Sequence, residues 1–533
     1  MPTNQIRIFV ADGVSDSGLQ PLRDAGFVVD KKTGLGADAL RQELADCDGL
    51  VVRSETKVTA DVMDAAKKLR VIGRAGVGVD NIDVPAATAR GIVVMNAPDG
   101  NTITTAEHTM ALLIALARSL PQADSSIKEG KWERKRFIGV ELQAKTLGII
   151  GLGRIGRAVS ARARAFGMKI VAHDPFISPE EARDLEIESV SLDEVFARAD
   201  FLTVHTPLTS ETRGIIGAAA FARMKKGARI INCARGGLID EAALYEAIKS
   251  GVVAGAALDV FEQEPPPADH PLLSLKEVIA TPHLGASTTE AQEGVAFTVA
   301  EQMRDYLQSG ALRGAVNVPA LGAKELGLLQ PYLALAESLG RFQAQLVEGP
   351  VREVRIDFAG EMVELDAAPV TRAFLAGLLR DVSARVNVVN AFLIAEERRI
   401  AVTTSYRRGG EMAQAIYTRV IGEAGEQSAS GTVFGIADGG REGRITEING
   451  FRIEAIPRGH VLVMHNRDVP GVIGRVGTIL GEAGINISEF HLGRRERGGE
   501  AMAVIEIDAP LDRKTIDEIR RFAPVISARQ IEL

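Results

Sequence analysis

The run Leu147-Gly148-Ile149-Ile150-Gly151-Leu152-Gly153-Arg154-Ile155-Gly156 constrains this chain more than any other segment. An apolar stretch ends in Gly-x-Gly-x-x-Gly. A helical pattern follows from Arg154 to about Phe166, and a second apolar run, Lys169 to His173, ends at Asp174. Strand, tight turn, helix, strand and acid, in that order, make a dinucleotide-binding βαβ unit. Gly151 makes the turn, Gly153 lets the backbone approach a pyrophosphate, and Gly156 lets helix and strand pack closely. Arg154 and Ile155 open the helix, whose N-terminal N–H groups and dipole favour phosphate. Asp174 lies 18 positions after Gly156. Its carboxylate suits the ribose hydroxyls and repels a 2′-phosphate, so NAD is expected rather than NADP.

A chain of 533 residues is too long for one core, and about three or four domains are expected. Charge excludes some partners. Lys+Arg 62 against Asp+Glu 70 gives a net −8, which disfavours nucleic acid and anionic membrane over broad surfaces but leaves room for a local basic pocket. Two cysteines, Cys47 and Cys233, make no disulfide framework and fit a reducing cytoplasm. No run of 18 apolar residues reads as a membrane span, and the first residues lack the pattern of a secretory signal.

Residues 1–98 alternate strand-like runs (Ile6 to Ala11, Gly49 to Arg53, Val71 to Gly73, Ile92 to Val94) with helical patterns (Ser15 to Ala25, Thr59 to Lys67), an α/β order with a parallel sheet. A helix from about Asn101 to Arg118 is apolar nearly all round from Thr109 to Ala117 and is expected to be buried. Beyond the glycine turn, strands are expected at Asp200 to His205, Ala228 to Asn232, Ala256 to Val260 and Val278 to Thr281. Each ends at residues able to do chemistry: His205-Thr206-Pro207, Cys233-Ala234-Arg235, Asp259 and Pro282-His283. Ligands of open parallel sheets bind beyond the carboxyl ends of the strands, so these tips share one crevice. A helix from about Thr288 to Leu307 and a linker at Ala315 to Ala320 follow. Residues from about 321 to 457 mix strand and helix, and His460 to Leu533 reads strand, helix, strand, strand, helix, strand, a ferredoxin-like order.

The order of motifs resembles the D-2-hydroxyacid dehydrogenase superfamily, and within it the long-form D-3-phosphoglycerate dehydrogenase family. The resemblance rests on Arg53-Ser54, Gly73 to Asn81, Asn101-Thr102, Lys131 to Lys135, the glycine turn, His205 to Leu208, Asn232 to Gly237, Ala257 to Phe261 and Pro282 to Ser287. It implies a Rossmann-like NAD domain (99–284) inserted in a flavodoxin-like substrate domain (1–98 and 285–318), followed by two α+β regulatory domains. These are an intervening domain that binds substrate allosterically (319–456) and a ferredoxin-like ACT domain (457–533).

The resemblance also assigns roles. His283 is the acid/base that takes the hydroxyl proton, Glu264 orients its ring, and Arg235 grips the substrate carboxylate. His205, Thr206, Pro207, Thr212, Cys233, Ala234, Asp259, Gly285 and Ala286 line the cofactor, with Cys233 a packing residue rather than a nucleophile. Arg53, Ser54, Arg74, the N–H groups at Gly76 and Val77, Asn101 and Thr102 hold the phosphorylated substrate, and Arg134 reaches in from a neighbouring subunit. The implied reaction is 3-phospho-D-glycerate to 3-phosphohydroxypyruvate with NAD, the first step toward serine, in a homotetramer. No metal is called for. In the tail, Asn466 and Asp468 with a partner chain's Asn486 are the implied seat of L-serine, although Val469 departs from the family's turn. Two alternatives remain open: another 2-hydroxyacid dehydrogenase such as a glyoxylate or hydroxypyruvate reductase, and an NAD-sensing scaffold.

Overall fold

A computed structural model of the chain describes residues 5–321, 323–360, 362, 366–383, 385–407, 414–435 and 440–533. Four sheets organise it. The first is a five-stranded parallel sheet in the order Val28–Lys31, Arg7–Val10, Gly49–Val52, Val71–Arg74, Val93–Asn96. The three central strands, Arg7–Val10, Gly49–Val52 and Val71–Arg74, are almost wholly buried, which is why they read as continuous apolar runs. The edge strand Val28–Lys31 is only half-buried, and its mixed composition gave no strand signal. Two short helices, Ala37–Leu44 and Val84–Ala89, also went unanticipated. The helix expected from Ser15 to Ala25 is shorter, Gln20–Asp24, because Pro21 in its first turn lacks an N–H and cannot continue a helix from upstream.

Helix Thr102–Arg118 leaves this sheet and enters the second unit, burying Thr109, Met110, Leu112, Leu113, Leu116 and Ala117 as its apolar surface requires. The second sheet has seven parallel strands. Thr146–Ile150 lies between Lys169–His173 on one side and Phe201–Val204 on the other. Beyond Phe201–Val204 come Ala228–Asn232, Val253–Leu258 and Val278–Ala280, and beyond Lys169–His173 the short Glu188–Ser189. The chain reverses its winding at Thr146–Ile150, so the crevice for a ligand opens at the end of that strand, where the glycine turn sits. The strand expected at Ala256 to Val260 starts three residues earlier and stops at Leu258, leaving Asp259 in the connection.

Helix Thr289–Ser309 returns to the first sheet. Thr288 caps its start by accepting from the Ala291 N–H at 3.2 Å, and Gly310 ends it at φ 80°. Val295, Val299, Ala300 and Met303 bury against Val10, Val71 and Val93. Gly73 is required here, since a Cβ would collide with Val299 and Met303. One chain therefore builds the first unit from both sides of the second, and the two units are joined through two long helices.

The third sheet is six-stranded, in the order Ala401–Arg407, Val351–Gly360, Gln414–Gly422, Gly425–Gly435, Arg441–Ile448, Phe451–Ala455, all antiparallel except the first pair. Helices Ala323–Leu346 and Ala368–Leu378 pack together on it. This unit touches the first through Asn387, whose Nδ2 donates to the Gly91 carbonyl at 2.9 Å. The last sheet runs Ile487–Arg494, Glu500–Ile507, His460–Arg467, Val525–Glu532, all antiparallel, with helices Val472–Glu482 and Arg513–Arg521 on one face. That is the expected βαββαβ order. No helix among the described residues is long and apolar enough to cross a membrane.

Candidate active site

The glycine turn has the shape the sequence demands. Gly151 sits at φ 93°, where only glycine rests without strain, and a Cβ there would approach the His205 carbonyl oxygen to 2.7 Å. A Cβ on Gly153 would meet nothing within 4 Å, so the turn faces open space. The first bond of helix Arg154–Ala165 runs from the Arg157 N–H to the Gly153 carbonyl at 3.0 Å. The N–H groups of Arg154, Ile155 and Gly156 therefore have no partner within the helix and point toward that space. Arg154 itself pairs with Asp99 at 2.5 Å across the crevice. Asp174 accepts the Leu152 N–H at 2.7 Å through Oδ2 and the Phe176 N–H at 2.9 Å through Oδ1, which fixes its carboxylate at the end of the second strand with lone pairs to spare.

The residues present thus fit a dinucleotide, with an open cradle at Gly153 and unspent N–H groups. Buried polar atoms without a partner among the described residues add to this: Asn101 Oδ1, Thr102 Oγ1, His205 Nδ1 and Thr206 Oγ1. Asp174 leads to the first prediction. Catalytic efficiency (kcat/KM) with NADH exceeds that with NADPH, and Asp174→Ala narrows the gap by about 30-fold, since two ribose hydrogen bonds are worth roughly 1 kcal/mol each. Equal efficiencies in the unaltered protein would overturn this reading.

His283 follows Val278–Ala280 and stands at φ 54°, a left-handed conformation that a side-chain-bearing residue adopts only when its surroundings impose it. Asp259 supplies the constraint. It is 1% exposed, accepts Thr281 Oγ1 at 2.6 Å, the Leu284 N–H at 2.7 Å and the Gly285 N–H at 2.8 Å, and pairs with His108 Nε2 at 3.1 Å. Burial pushes its carboxyl up, but these donors, His108 foremost, more than offset that and hold it below its usual range. Thr105 Oγ1 adds a bond to the Gly285 carbonyl at 2.9 Å, and Ala286 follows in the same turn.

His283 Nδ1 lies 2.7 Å from Glu264 Oε2. Burial raises the Glu264 carboxyl, and the bond with His283 together with the Phe261 N–H at 3.1 Å brings it below its usual range. Glu264 is therefore an anion and accepts, so Nδ1 carries the hydrogen. Nε2 is left with a lone pair for a substrate proton. His205, at the tip of Phe201–Val204, is different. It is half-buried with Nδ1 out of reach of solvent, burial pushes its pKa down to about 4, and its Nε2 meets Thr203 Oγ1 at 3.0 Å. It stays neutral at pH 7 and borders the glycine turn through its carbonyl.

Arg235 follows Ala228–Asn232. Asn232 shapes the turn by accepting the Ala234 N–H at 3.0 Å and donating to the Arg235 carbonyl at 2.9 Å. The guanidinium donates to the Ala234 carbonyl at 2.7 Å, pairs with Asp80 at 3.4 Å and lies over Gly78, where a Cβ would collide with it. Arg74 ends the first unit's fourth strand, and its guanidinium folds over Gly76, which at φ 156° has no Cβ to obstruct it. Burial, then Arg235 and Arg53, push the Arg74 pKa down to about 10, and its Nε is buried without a partner among the described residues. Arg53 is placed by its backbone N–H, which donates to Asp12 at 2.5 Å. Asn81 Nδ2 bonds the Arg53 carbonyl at 2.7 Å, and Ser54 beside it is exposed. Three arginines from both units thus converge, with Asp12 and Asp80 nearby, an arrangement able to receive an anion.

Some expectations change. Asp259 and Thr212 were expected at the cofactor, but their side chains are spent inside the protein. Thr212 Oγ1 donates to the Pro207 carbonyl at 2.6 Å and accepts the Thr209 N–H at 2.8 Å, closing the loop after His205. They act by holding the elements that face the crevice. Cys233 is buried and its thiol is pushed up to about 12 by burial, so it packs and does not attack. Val77 uses its carbonyl to accept Asn96 Nδ2 at 2.5 Å. Arg134 lies exposed in the short helix Arg134–Phe137, on an arm that also exposes Trp132 (77%) and Ile138 (84%), outside the cationic cluster of its own chain. Asp12, Asp80, Asp99 and His108 were missed as site-builders. Asp12 had a signal, since it follows the first strand just as the other site residues follow theirs.

In the tail, Asn466 is buried, with Nδ2 on the Arg467 carbonyl at 2.8 Å and Oδ1 without a partner among the described residues. Asp468 Oδ2 accepts the Gly498 N–H and Arg494 NH1, each at 3.1 Å, and these two hold its carboxyl below the usual range. Asn486 bonds Asp508 at 3.0 Å. Asn466 pairs with Ala501, whereas Ile487, next to Asn486, pairs with Ile507. Six strand positions, about 20 Å, separate them along the sheet, so Asn466 and Asn486 do not meet within one chain.

Comparison with known proteins agrees with this geometry. Residues 110–285 match the model of the D-isomer specific 2-hydroxyacid dehydrogenase NAD binding domain, 328–449 the D-3-phosphoglycerate dehydrogenase intervening domain, and 460–524 the ACT domain. The chain is 43% identical over 532 residues to the D-3-phosphoglycerate dehydrogenase of Archaeoglobus fulgidus, covering 99% of this chain and 100% of that protein. It is 44% identical over 531 residues to that of Bacillus subtilis, covering 99% of each. Among solved structures, a glyoxylate reductase from Paecilomyes thermophila superposes with a TM-score of 0.54 at 32% identity, over 59% of this chain and 99% of that one. Three domain matches in series and identity over the whole length lead to one conclusion: the chain belongs to the D-3-phosphoglycerate dehydrogenase family.

Proposed function

We propose that the chain oxidises 3-phospho-D-glycerate to 3-phosphohydroxypyruvate, the entry to serine synthesis, at the crevice between its first two units. We assign residues 1–98 with 285–318 to substrate binding and 99–284 to the cofactor. The observation that carries this reading is the meeting of Arg53, Arg74 and Arg235, the last in a loop whose Gly236 packs on Phe261, the residue whose N–H donates to the Glu264 that holds His283. One guanidinium serves the carboxylate, and two more suit a phosphate at the far end of a three-carbon acid. NAD+, when bound, supplies the hydride acceptor. His283 Nε2 takes the hydroxyl proton, Glu264 stabilises the resulting imidazolium, and Arg235 orients the carboxylate so that the C2 hydrogen faces the crevice. Steady-state rates with phosphoglycerate, glycerate and lactate test it: phosphoglycerate gives the highest kcat/KM by at least about tenfold, the worth of one charge-assisted bond. A preference for glycerate or glyoxylate would point to a reductase like the structural neighbour.

The ACT domain supports amino-acid control, and we assign L-serine to a site shared by two chains, with Asn466 and Asp468 from one and Asn486 from the other. The exposed arm around Trp132, which would deliver Arg134 to a neighbour, together with paired ACT domains, gives two kinds of contact and hence a tetramer. The buried thiols Cys47 and Cys233 suit the cytoplasm. Asn486→Ala is expected to weaken serine binding to the intact protein by about tenfold or more, read by calorimetry, while KM for phosphoglycerate stays fixed. Point substitution is preferable to cutting after Pro319, because Leu326, Leu329 and Tyr332 share one apolar core with Val295 and Met303. Serine binding unchanged in this variant would remove Asn486 from the site.

A further inference from the structure

The ACT sheet has two faces. Ala503, Ile505 and Ile507 point toward its own helices, while Met502 and Val504 join the core shared with Phe451, Ile453 and Ala455 of the intervening domain. By strand alternation Glu506 belongs to this second face. Glu489 is its cross-strand partner, and His491 stands two residues on from Glu489 along the same strand, hence on the same side. The strand approaches the intervening domain so closely that a Cβ on Gly493 would collide with the Arg452 carbonyl.

Two carboxylates directly opposite one another on adjacent strands destabilise a sheet, and Glu506 is only 5% exposed. Its Oε1 is buried without a partner among the described residues, and its Oε2 has one distant cation, Arg458 Nε, at 3.9 Å. Glu489 and, from the intervening domain, Glu442 add further negative charge, which Arg458 and His491 offset only in part. A buried, under-compensated acid is expensive. What it lacks is a compact positive charge. His491 Nε2 lies 2.9 Å from Glu489 Oε2, and one ligand atom from each of Glu489, His491 and Glu506 falls within 4.8 Å of the others. Neighbouring ligands of a tetrahedral ion sit about 3.3 Å apart when each bond is about 2.0 Å.

We propose that Glu489, His491 and Glu506 form a divalent transition-metal site at the junction of the ACT and intervening domains. One imidazole and two carboxylates suit Zn²⁺, Mn²⁺ or Co²⁺, whereas Mg²⁺ and Ca²⁺ prefer oxygen-only shells. Binding through His491 Nε2 replaces its hydrogen bond with Glu489, any proton on that nitrogen leaving to solvent, and replaces the weak Arg458 contact, with water completing the shell. All three ligands lie on the face of the ACT sheet that packs on the intervening domain, so the ion neutralises buried negative charge at that junction.

The test uses the full chain after chelator treatment, titrated with Co²⁺ and with Zn²⁺ against a chromophoric competitor. One equivalent binds per chain, and Co²⁺ gives a visible d–d spectrum. His491→Ala and Glu489→Gln each weaken binding by about 100-fold and abolish that spectrum. Glu506→Gln separates a metal site from a structural ion pair. In metal-free protein it leaves the melting temperature unchanged or raises it, by removing a buried charge, and it loses the metal-induced rise seen in the unaltered chain. Failure to bind a stoichiometric ion, or the same affinity in His491→Ala, overturns the proposal. So does a Glu506→Gln protein that melts lower without metal yet still responds to it, which would make Arg458 the true partner.

Discussion

His283→Ala lowers kcat with phosphoglycerate by about 10²–10⁴, the usual worth of a positioned general acid/base, and leaves NAD binding intact. The effect follows from how the ring is held. Glu264 takes the hydrogen on Nδ1 and leaves Nε2 as the only ring atom able to accept from substrate. Asp259, through Thr281, Leu284 and Gly285, fixes a backbone that histidine would not adopt alone. None of these contacts involves the glycine turn, so cofactor affinity, read by fluorescence titration, survives. Glu264→Gln retains an acceptor for Nδ1–H but removes the charge that stabilises the imidazolium. The acid limb of the kcat/KM profile therefore moves to lower pH, while His205 contributes no limb near neutrality because burial already holds it at about 4. A nearly unaltered kcat in His283→Ala would place the base elsewhere.

The shared location of the site residues was legible because sequence position and strand topology coincide, while their roles came from the family resemblance. His283, Arg235 and His205 each follow a parallel strand, and parallel sheets gather such tips in one crevice. The same reasoning could have reached Asp12, which follows the first strand, and could not reach His108 or Asp99, which lie on or before a helix and meet the crevice only through packing. Thr212 and Asp259 show the converse: proximity was foreseeable, but which hydrogen bonds consume their side chains was not. The edge strand Val28–Lys31 was missed because a half-buried edge needs no apolar run, whereas the central strands do. In the tail, Glu489, His491 and Glu506 carry no metal-ligand spacing. Their juxtaposition depends on the register that sets Glu489 opposite Glu506, and register across a two-sided sheet is fixed by packing rather than by a motif.

Arg74→Ala produces an effect of unusual sign. KM for phosphoglycerate rises by about 10–150-fold, since a charge-assisted hydrogen bond contributes roughly 1.5–3 kcal/mol, while the free protein melts no lower and can melt higher. Arg74 is the most desolvated of three converging cations, its Nε has no partner among the described residues, and burial together with Arg235 and Arg53 already pushes its pKa to about 10. A charge in that state is a cost to the unliganded fold, compensated when an anion arrives. An unphosphorylated 2-hydroxy acid, which places only its carboxylate against Arg235, loses far less in the same variant. Arg53→Ala follows the same pattern more weakly, because Arg53 also bonds the Gly13 carbonyl at 3.3 Å and is less desolvated. Equal losses for phosphorylated and unphosphorylated substrates, measured as kcat/KM, would mean that Arg74 shapes the site without reading the phosphate. A marked fall in melting temperature would mean that it is a structural cation, and the anion site would then have to be sought around Arg235 alone.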